Sequence, residues 1–284
     1  MAGCLTVAVN SIWHTGRVHK GSGLRTLRAN SLIMQDASPL LIHRQSFTIR
    51  SYDVDFRRQL RPDVLCSYFQ EVASEHALRL GVGYQQLEAQ RMFWVLSRLL
   101  LQVEKMPAWH EEITIETWAK GTNRLFALRD FRVRNAAGEV LCTATSYWLI
   151  LHMDSRRPVR PDPFFSRLKH QEDAVKTEAD KLEEASREAE LYRLQVQYAD
   201  LDHNRHVNNL RYIAWMFNCF DLAYYEQYQL REMQINFLSE VREGAQLAIC
   251  REQLADQHFL MSGYQQELSP PCFSGTLRWM PFLD

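Results

Sequence analysis

The sequence predicts an α+β protein made of two tandem copies of one unit, each a long helix wrapped by an antiparallel sheet. Three observations carry this prediction. The order strand, polar loop, helix, strands occurs twice. Its two occurrences keep one spacing, with Leu194, Val196, Asp200 and Asp202 each 147 residues after Phe47, Ile49, Asp53 and Asp55. Finally, each helical segment carries an apolar stripe that a sheet must cover.

Phe47 and Ile49 alternate with Thr48 and Arg50, the period of a half-buried strand. A polar, turn-prone stretch over 52–62 leads into a helix, because Val64, Leu65, Tyr68, Phe69, Val72, Ala73, His76, Ala77 and Leu80 recur at helical spacing. Asp63 is its expected cap, and Gly81 and Gly83 its stop. Four strands are predicted next, over 92–103, 113–118, 125–134 and 140–151, separated by turn signals at Pro107, Gly121 and 135–138. In the second copy Leu194 and Val196 open a strand, and a polar loop covers 198–206. Leu210, Ile213, Ala214, Phe217, Phe220 and Leu222 then mark a second long helix. Strands follow near 233–238, 247–252, 259–264 and 273–279. A meander wrapped around a helix is the hotdog arrangement, and twin copies can pair their sheets edge to edge, which covers strand edges. The predicted organisation is a first hotdog domain over 41–153 and a second over 191–284. Between them, 154–190 opens with Pro158, Pro161 and Pro163 and becomes heavily charged, so it reads as a linker. A solvated helix within 172–190 is the secondary expectation.

Composition narrows the classes. Lys+Arg 33 against Asp+Glu 34 gives a net charge of -1, so bulk charge draws the chain to neither nucleic acid nor an anionic membrane. No apolar run approaches the roughly 20 residues of a membrane helix, and no membrane insertion is expected. Six cysteines are scattered without a CxxC pair, as reduced core thiols rather than a disulfide framework or metal site. Residues 1–40 are set apart from the fold, since Arg17, Lys20, Arg25 and Arg28 precede the first acid, Asp36. They read as an unstructured extension of a cytoplasmic protein, or as a start codon called too early with Met34 the true start. The alternative is an organelle-targeting leader, which would place the protein in a plastid.

The loops before the two helices differ where chemistry is concerned. Asp55, Arg57 and Gln59 in the first copy correspond to Asp202, Asn204 and His206 in the second. Only the second has a side chain whose ordinary pKa, about 6.5, suits acid–base work at neutral pH. Singly, an Asp or Asn before a helix is most often a cap and a lone His is most often structural. The presence of all three together in one copy, with the Asn and His absent from the other, favours a functional site.

The run Tyr198-Ala199-Asp200-Leu201-Asp202-His203-Asn204-Arg205-His206-Val207-Asn208-Asn209-Leu210-Arg211-Tyr212-Ile213 resembles the D-x-N-x-H-V-N-N-x-x-Y-I signature of the acyl-acyl-carrier-protein (acyl-ACP) thioesterases. Arg91-Met92-Phe93-Trp94-Val95 and Ile115-Glu116-Thr117-Trp118 are similar to segments of the same family, so the resemblance runs from about Phe47 to Trp279. It implies a thioesterase that hydrolyses fatty acyl-ACP to free fatty acid and ACP, ending fatty acid synthesis without a cofactor. It places Asp202, Asn204 and His206 in the active site and completes them with a Glu on a later strand, here Glu240, with Glu243 as the competing acid. Many plant members have a Cys after that Glu. This chain has Val241, so a Cys–His mechanism is not expected there.

Thioester hydrolysis needs an activated nucleophile and a stabilised oxyanion, and its thiol leaving group needs little help. His206 is the expected base on water, with Glu240 orienting its ring. Asn204 would position the water or polarise the carbonyl, and Asp202 would either hold the loop or attack the thioester itself. The N–H groups of Val207 and Asn208, at the start of the second helix, are the expected oxyanion donors. His203 and His206 lack the further ligands of a metal site. The resemblance also makes the first copy the lining of the acyl pocket and an acidic carrier protein the partner. Arg57, Arg58 and Arg61 are candidates for docking that carrier, and a homodimer is compatible with the sequence. The competing functions are hydrolysis of acyl-coenzyme A, a non-catalytic acyl-binding hotdog module and, more remotely, a hotdog dehydratase.

Overall fold

The computed structural model describes residues 41–161, 163, 173–265 and 270–282, so the expectation for 1–40 lies outside the described residues. The elements used below are β1 (His43–Thr48), α1 (Pro62–Arg79), α2 (Tyr84–Glu88), β2 (Met92–Val103), β3 (Glu112–Asn123), β4 (Phe126–Asn135), β5 (Val140–His152), β6 (Pro158–Val159), β7 (Glu190–Gln195), α3 (Asn209–Phe217), α4 (Leu222–Gln227), β8 (Tyr228–Phe237), β9 (Gln246–Ala255), β10 (His258–Gln265) and β11 (Phe273–Pro281). The repeat spacing survives folding, with β7 and α3 starting 147 residues after β1 and α1.

One antiparallel sheet runs β1-β3-β4-β5-β2-β8-β11-β10-β9-β7, with β6 added to β5. Its two halves mirror one another about the β2–β8 pair, where Arg98 faces Asn236 and Gln102 faces Glu232. This is the α+β, double-hotdog architecture that the pattern predicts. Alternation decides which face is buried. Leu99 and Leu101 of β2 join Met233 and Ile235 of β8 in a core that also takes in Phe69 and Val72 of α1 and Ile213 and Met216 of α3. The core is therefore continuous across both copies. Five cysteines, Cys66, Cys142, Cys219, Cys250 and Cys272, are buried free thiols, and Cys4 lies outside the described residues.

Three local expectations are corrected. Asp63 does not cap α1. The capping position is Arg61, without a side-chain cap, and Pro62 opens the helix, where its missing N–H costs nothing. Asp63 sits in the first turn, 3.5 Å from Arg61 Nε. The second long helix is two short ones, because the Asp221 carboxylate accepts the Tyr224 N–H at 2.8 Å and starts α4 afresh. The third correction concerns the linker. Residues 173–186 form no helix but cross the sheet face opposite α1, burying Val175, Ala179 and Ala185. Their backbone groups bond to sheet side chains instead of to each other. Arg98 and Lys120 donate to the carbonyls of Ala179 and Val175, both at 2.6 Å. Gln234 and Asn236 donate to the Asp180 carbonyl. Asp130 accepts the Ala174 N–H at 2.8 Å, and Tyr264 donates to the Ala185 carbonyl at 2.7 Å. These tertiary bonds override the helical propensity of the Ala, Glu and Lys residues.

Candidate active site

The loop before each helix has the same backbone plan. In the second copy Asp202 Oδ1 accepts the N–H groups of Asn204 and His206 at 2.8 and 3.1 Å. The Asp202 N–H returns to the His206 carbonyl at 2.8 Å. In the first copy Asp55 Oδ1 accepts the N–H groups of Arg57 and Gln59 at 2.9 and 3.1 Å, and the Asp55 N–H returns to Gln59. Arg58 and Arg205, at matching places, both have φ 63, the left-handed conformation that closes the loop. Isolated bridges complete the match, Val54 to Leu60 and Leu201 to Val207. The copies thus differ in what one scaffold presents, not in the scaffold.

In the second copy that scaffold brings His206 to Glu240, which lies just beyond β8. His206 Nε2 and Glu240 Oε2 are 3.5 Å apart, with side-chain exposures of 15% and 38%. Carboxylate–imidazole contacts of this length commonly tighten once substrate excludes water. Glu240, rather than Glu243, is the acid at this distance. Asn204 and His203 are exposed on the loop rim, and His203 lies edge-on to Tyr84 of α2 with ring centroids 6.0 Å apart. Tyr212 of α3 is buried behind the site among Phe237, Phe273 and Trp215. Burial raises its hydroxyl pKa strongly, helped by the charges of Glu240 and Asp202. Cys272 lies behind the same wall, and burial pushes its thiol up to about 12, so it is no ready nucleophile. Val241 is buried in the core.

Two groups of sequence candidates sit differently from expectation. The N–H groups of Val207 and Asn208 are already spent, donating to the carbonyls of Val241 and Asp200, both at 2.8 Å. They are not free for an oxyanion. Asn208 does act at the helix start, where its side chain caps the Leu210 N–H at 3.0 Å. The second group is Arg57, Arg58 and Arg61. Arg57 bonds Asp55 Oδ2 at 3.0 Å and the carbonyls of Tyr225 and Tyr228 at 2.9 and 3.2 Å, and packs over Tyr225 and Phe282. Tyr228 opens β8 and Glu240 lies past its far end, so this arginine is about 30 Å of strand away from the Glu240 end. Arg58 stacks over Trp109 of the β2–β3 connection, and Arg61 pairs with Asp63. The first copy's pre-helix loop therefore clamps the second half instead of lining the mouth of the site. Sequence reasoning missed Arg156, whose Nη1 is 3.4 Å from Glu240 Oε1. Its signal lay in a contact 84 positions apart, which no local pattern shows.

Beneath α1 a narrow, largely apolar cleft is lined by Cys66, Phe69, Leu96, Phe131, Ile213 and Phe237, with Ser146 and Trp148 among its polar edges. Its free volume is about 10 Å³, of the order of one water, so side chains must part to admit a larger guest. A larger cavity of about 230 Å³, lined by Arg187, Glu190, Arg193, Gln246, Leu247, Ala248 and Tyr264, contains none of the candidate residues. Among the described residues no group of three His, Cys, Asp or Glu could hold a metal ion, and no helix is long and apolar enough to cross a membrane.

Comparison with known proteins agrees with this architecture. The acyl-ACP thioesterase N-terminal domain matches residues 41–165 and its C-terminal domain residues 183–271. The chain is 28% identical over 222 residues to oleoyl-acyl carrier protein thioesterase 2, chloroplastic, of Arabidopsis thaliana, covering 71% of this chain and 60% of that protein. It is 30% identical over 227 residues to palmitoyl-acyl carrier protein thioesterase, chloroplastic, of Gossypium hirsutum, covering 73% and 53%. The chain thus spans between half and three fifths of these curated relatives. Two solved structures share the fold. An acyl-ACP thioesterase from Bacteroides thetaiotaomicron superposes with TM-score 0.79 at 24% identity, covering 84% of this chain and 98% of that one. The 12:0-ACP thioesterase from Umbellularia californica gives TM-score 0.77 at 24% identity, covering 85% and 98%. With both domains matched in tandem, the chain belongs to the acyl-ACP thioesterase family.

Proposed function

We propose that this protein hydrolyses fatty acyl-ACP to free fatty acid and ACP, the step that ends fatty acid synthesis, with the second hotdog domain catalytic and the first forming most of the acyl groove. One observation carries the reading. The duplicated loop presents Asn204 and His206 in one copy only, and there His206 Nε2 stands 3.5 Å from the Glu240 carboxylate.

In the proposed reaction His206 takes a proton from water, whose oxygen attacks the thioester carbonyl carbon. Glu240 accepts the Nε2–H, which leaves Nδ1 as the base and stabilises the imidazolium that forms. Asn204 polarises the carbonyl through its side-chain amide, the role left open because Val207 and Asn208 have spent their N–H groups. The carbon–sulfur bond then breaks, and the thiolate leaves with the proton that the imidazolium returns. Asp202 holds the loop. Asp55 makes the same bonds where no acid–base group is present, which supports an anchoring role over a nucleophilic one. The acyl chain enters the cleft under α1 as Phe69, Leu96 and Phe131 part.

The test is hydrolysis of a series of acyl-ACP thioesters beside matched acyl-coenzyme A thioesters. We expect preference for the carrier protein, and at least about a hundredfold loss of kcat for His206→Ala and for Asn204→Ala with unchanged melting temperature. A strong preference for coenzyme A overturns the carrier assignment. Near-normal turnover by either variant overturns the catalytic one.

A further inference from the structure

The proposed catalytic groups all belong to the second half, yet their carboxylate is touched from the first. Arg156, among the first residues of the predicted linker, lies in the turn between β5 and β6, and the pairing of those strands holds that turn on the first copy's sheet. Its Nη1 is 3.4 Å from Glu240 Oε1, while Glu240 Oε2 faces His206 Nε2 at 3.5 Å. One carboxylate thus bridges guanidinium and imidazole, with an oxygen for each. The guanidinium lies over the Phe93 ring, 5.0 Å from its centroid, which restrains its plane.

The turn that carries Arg156 is itself tied down. The Met153 N–H donates to the Arg91 carbonyl at 2.8 Å, the Arg156 N–H to the His152 carbonyl at 2.9 Å, and Arg91 Nε to Asp154 Oδ2 at 2.9 Å. The arrangement is not what stability alone favours. Arg156 has φ 54, strained for a side chain of its size, and its buried Nε meets no hydrogen-bond partner among the described residues. What the arrangement achieves is placement. A glutamate just past a strand end, 38% exposed, is free to sample several rotamers, and a 22%-exposed cation on its far oxygen restricts it to the one facing the imidazole.

We propose that Arg156 is a positioning residue for Glu240, through which the first hotdog unit orients the second unit's acid–base pair. The inference rests on the catalytic assignment of His206 and Glu240 made above.

A double-mutant cycle on the full chain tests it, with kcat and KM measured on the acyl-ACP that the series shows to be hydrolysed fastest, and thermal midpoints alongside. Arg156→Met is expected to lower kcat about tenfold with KM changed by less than about twofold, and Arg156→Lys to recover most of that loss. In the Glu240→Gln background, Arg156→Met should change kcat by less than about twofold. Equal losses in both backgrounds overturn the proposal. So does a raised KM with unchanged kcat, which would mean that the guanidinium touches the substrate. If Arg156→Met does not fold, Arg156→Gln carries the same cycle. A Glu240→Gln enzyme with normal turnover defeats the underlying catalytic assignment. A crippled Glu240→Gln enzyme in which Arg156→Met retains its full effect defeats only the role of Arg156.

Discussion

Arg57→Met separates two accounts of the first copy's loop. As a docking residue Arg57 would affect KM for the carrier protein. As the clamp seen here it should affect stability. Its guanidinium makes three charge-assisted hydrogen bonds, to Asp55 Oδ2 and the carbonyls of Tyr225 and Tyr228, at 18% side-chain exposure. Such bonds contribute about 1.5–3 kcal/mol each, and removing one partner strands the others. Met keeps the apolar packing on Tyr225 and Phe282, and the freed acceptors regain some water, so the net loss is about 3–5 kcal/mol, the range for breaking a mostly buried pair. For a folded unit of this size that lowers the melting temperature by about 6–20 °C. The assay is thermal unfolding with kcat and KM measured well below the new midpoint. Both kinetic constants should stay within about twofold, because β8 separates Arg57 from the Glu240 end by about 30 Å. An unchanged melting temperature with KM raised several-fold would refute the clamp.

Further substitutions test other links. Asp202→Asn keeps an oxygen for the N–H groups of Asn204 and His206, so it should retain activity within about tenfold, whereas Asp202→Ala should fall to the level of His206→Ala; complete inactivity of Asp202→Asn would instead favour its carboxylate as nucleophile. Asp130 is fully buried, and burial raises its carboxyl above the ordinary 3.8 despite Lys120 at 3.7 Å and the N–H groups of Ala174 and Val175. The unfolded chain therefore loses its proton first, and stability falls as pH rises from 3.8 through the raised folded value. The urea midpoint of the wild type relative to that of Asp130→Asn should fall as pH rises across that window, the contribution of the other carboxylates cancelling between the two; parallel curves would rule this out. Leu96→Phe narrows the cleft under α1, at an overpacking cost of about 1–3 kcal/mol, and should cut kcat/KM for long acyl chains at least about tenfold relative to short ones. A uniform loss over chain lengths would place the acyl group elsewhere.

Much of this molecule was legible in the residues alone, because alternation and helical spacing report local backbone and single-face burial. Phe47 with Ile49 located β1, the apolar stripe from Val64 located α1, and the 147-residue spacing carried through to β7 and α3. The Asp202, Asn204 and His206 loop was legible for the same reason, since a short loop's hydrogen bonds lie within its own few positions. Tertiary structure decided what each group touches. Asp221 broke the second helix, the charged linker became a strap once Arg98, Lys120, Gln234 and Tyr264 took its carbonyls, and Val241 and Asp200 took the N–H groups of Val207 and Asn208. Arg57 and Arg156 found partners more than 80 positions away, at opposite ends of β8. Periodicity records that a side chain is buried or exposed; the partner it meets depends on how the two sheets join at β2 and β8, and no local period encodes that junction.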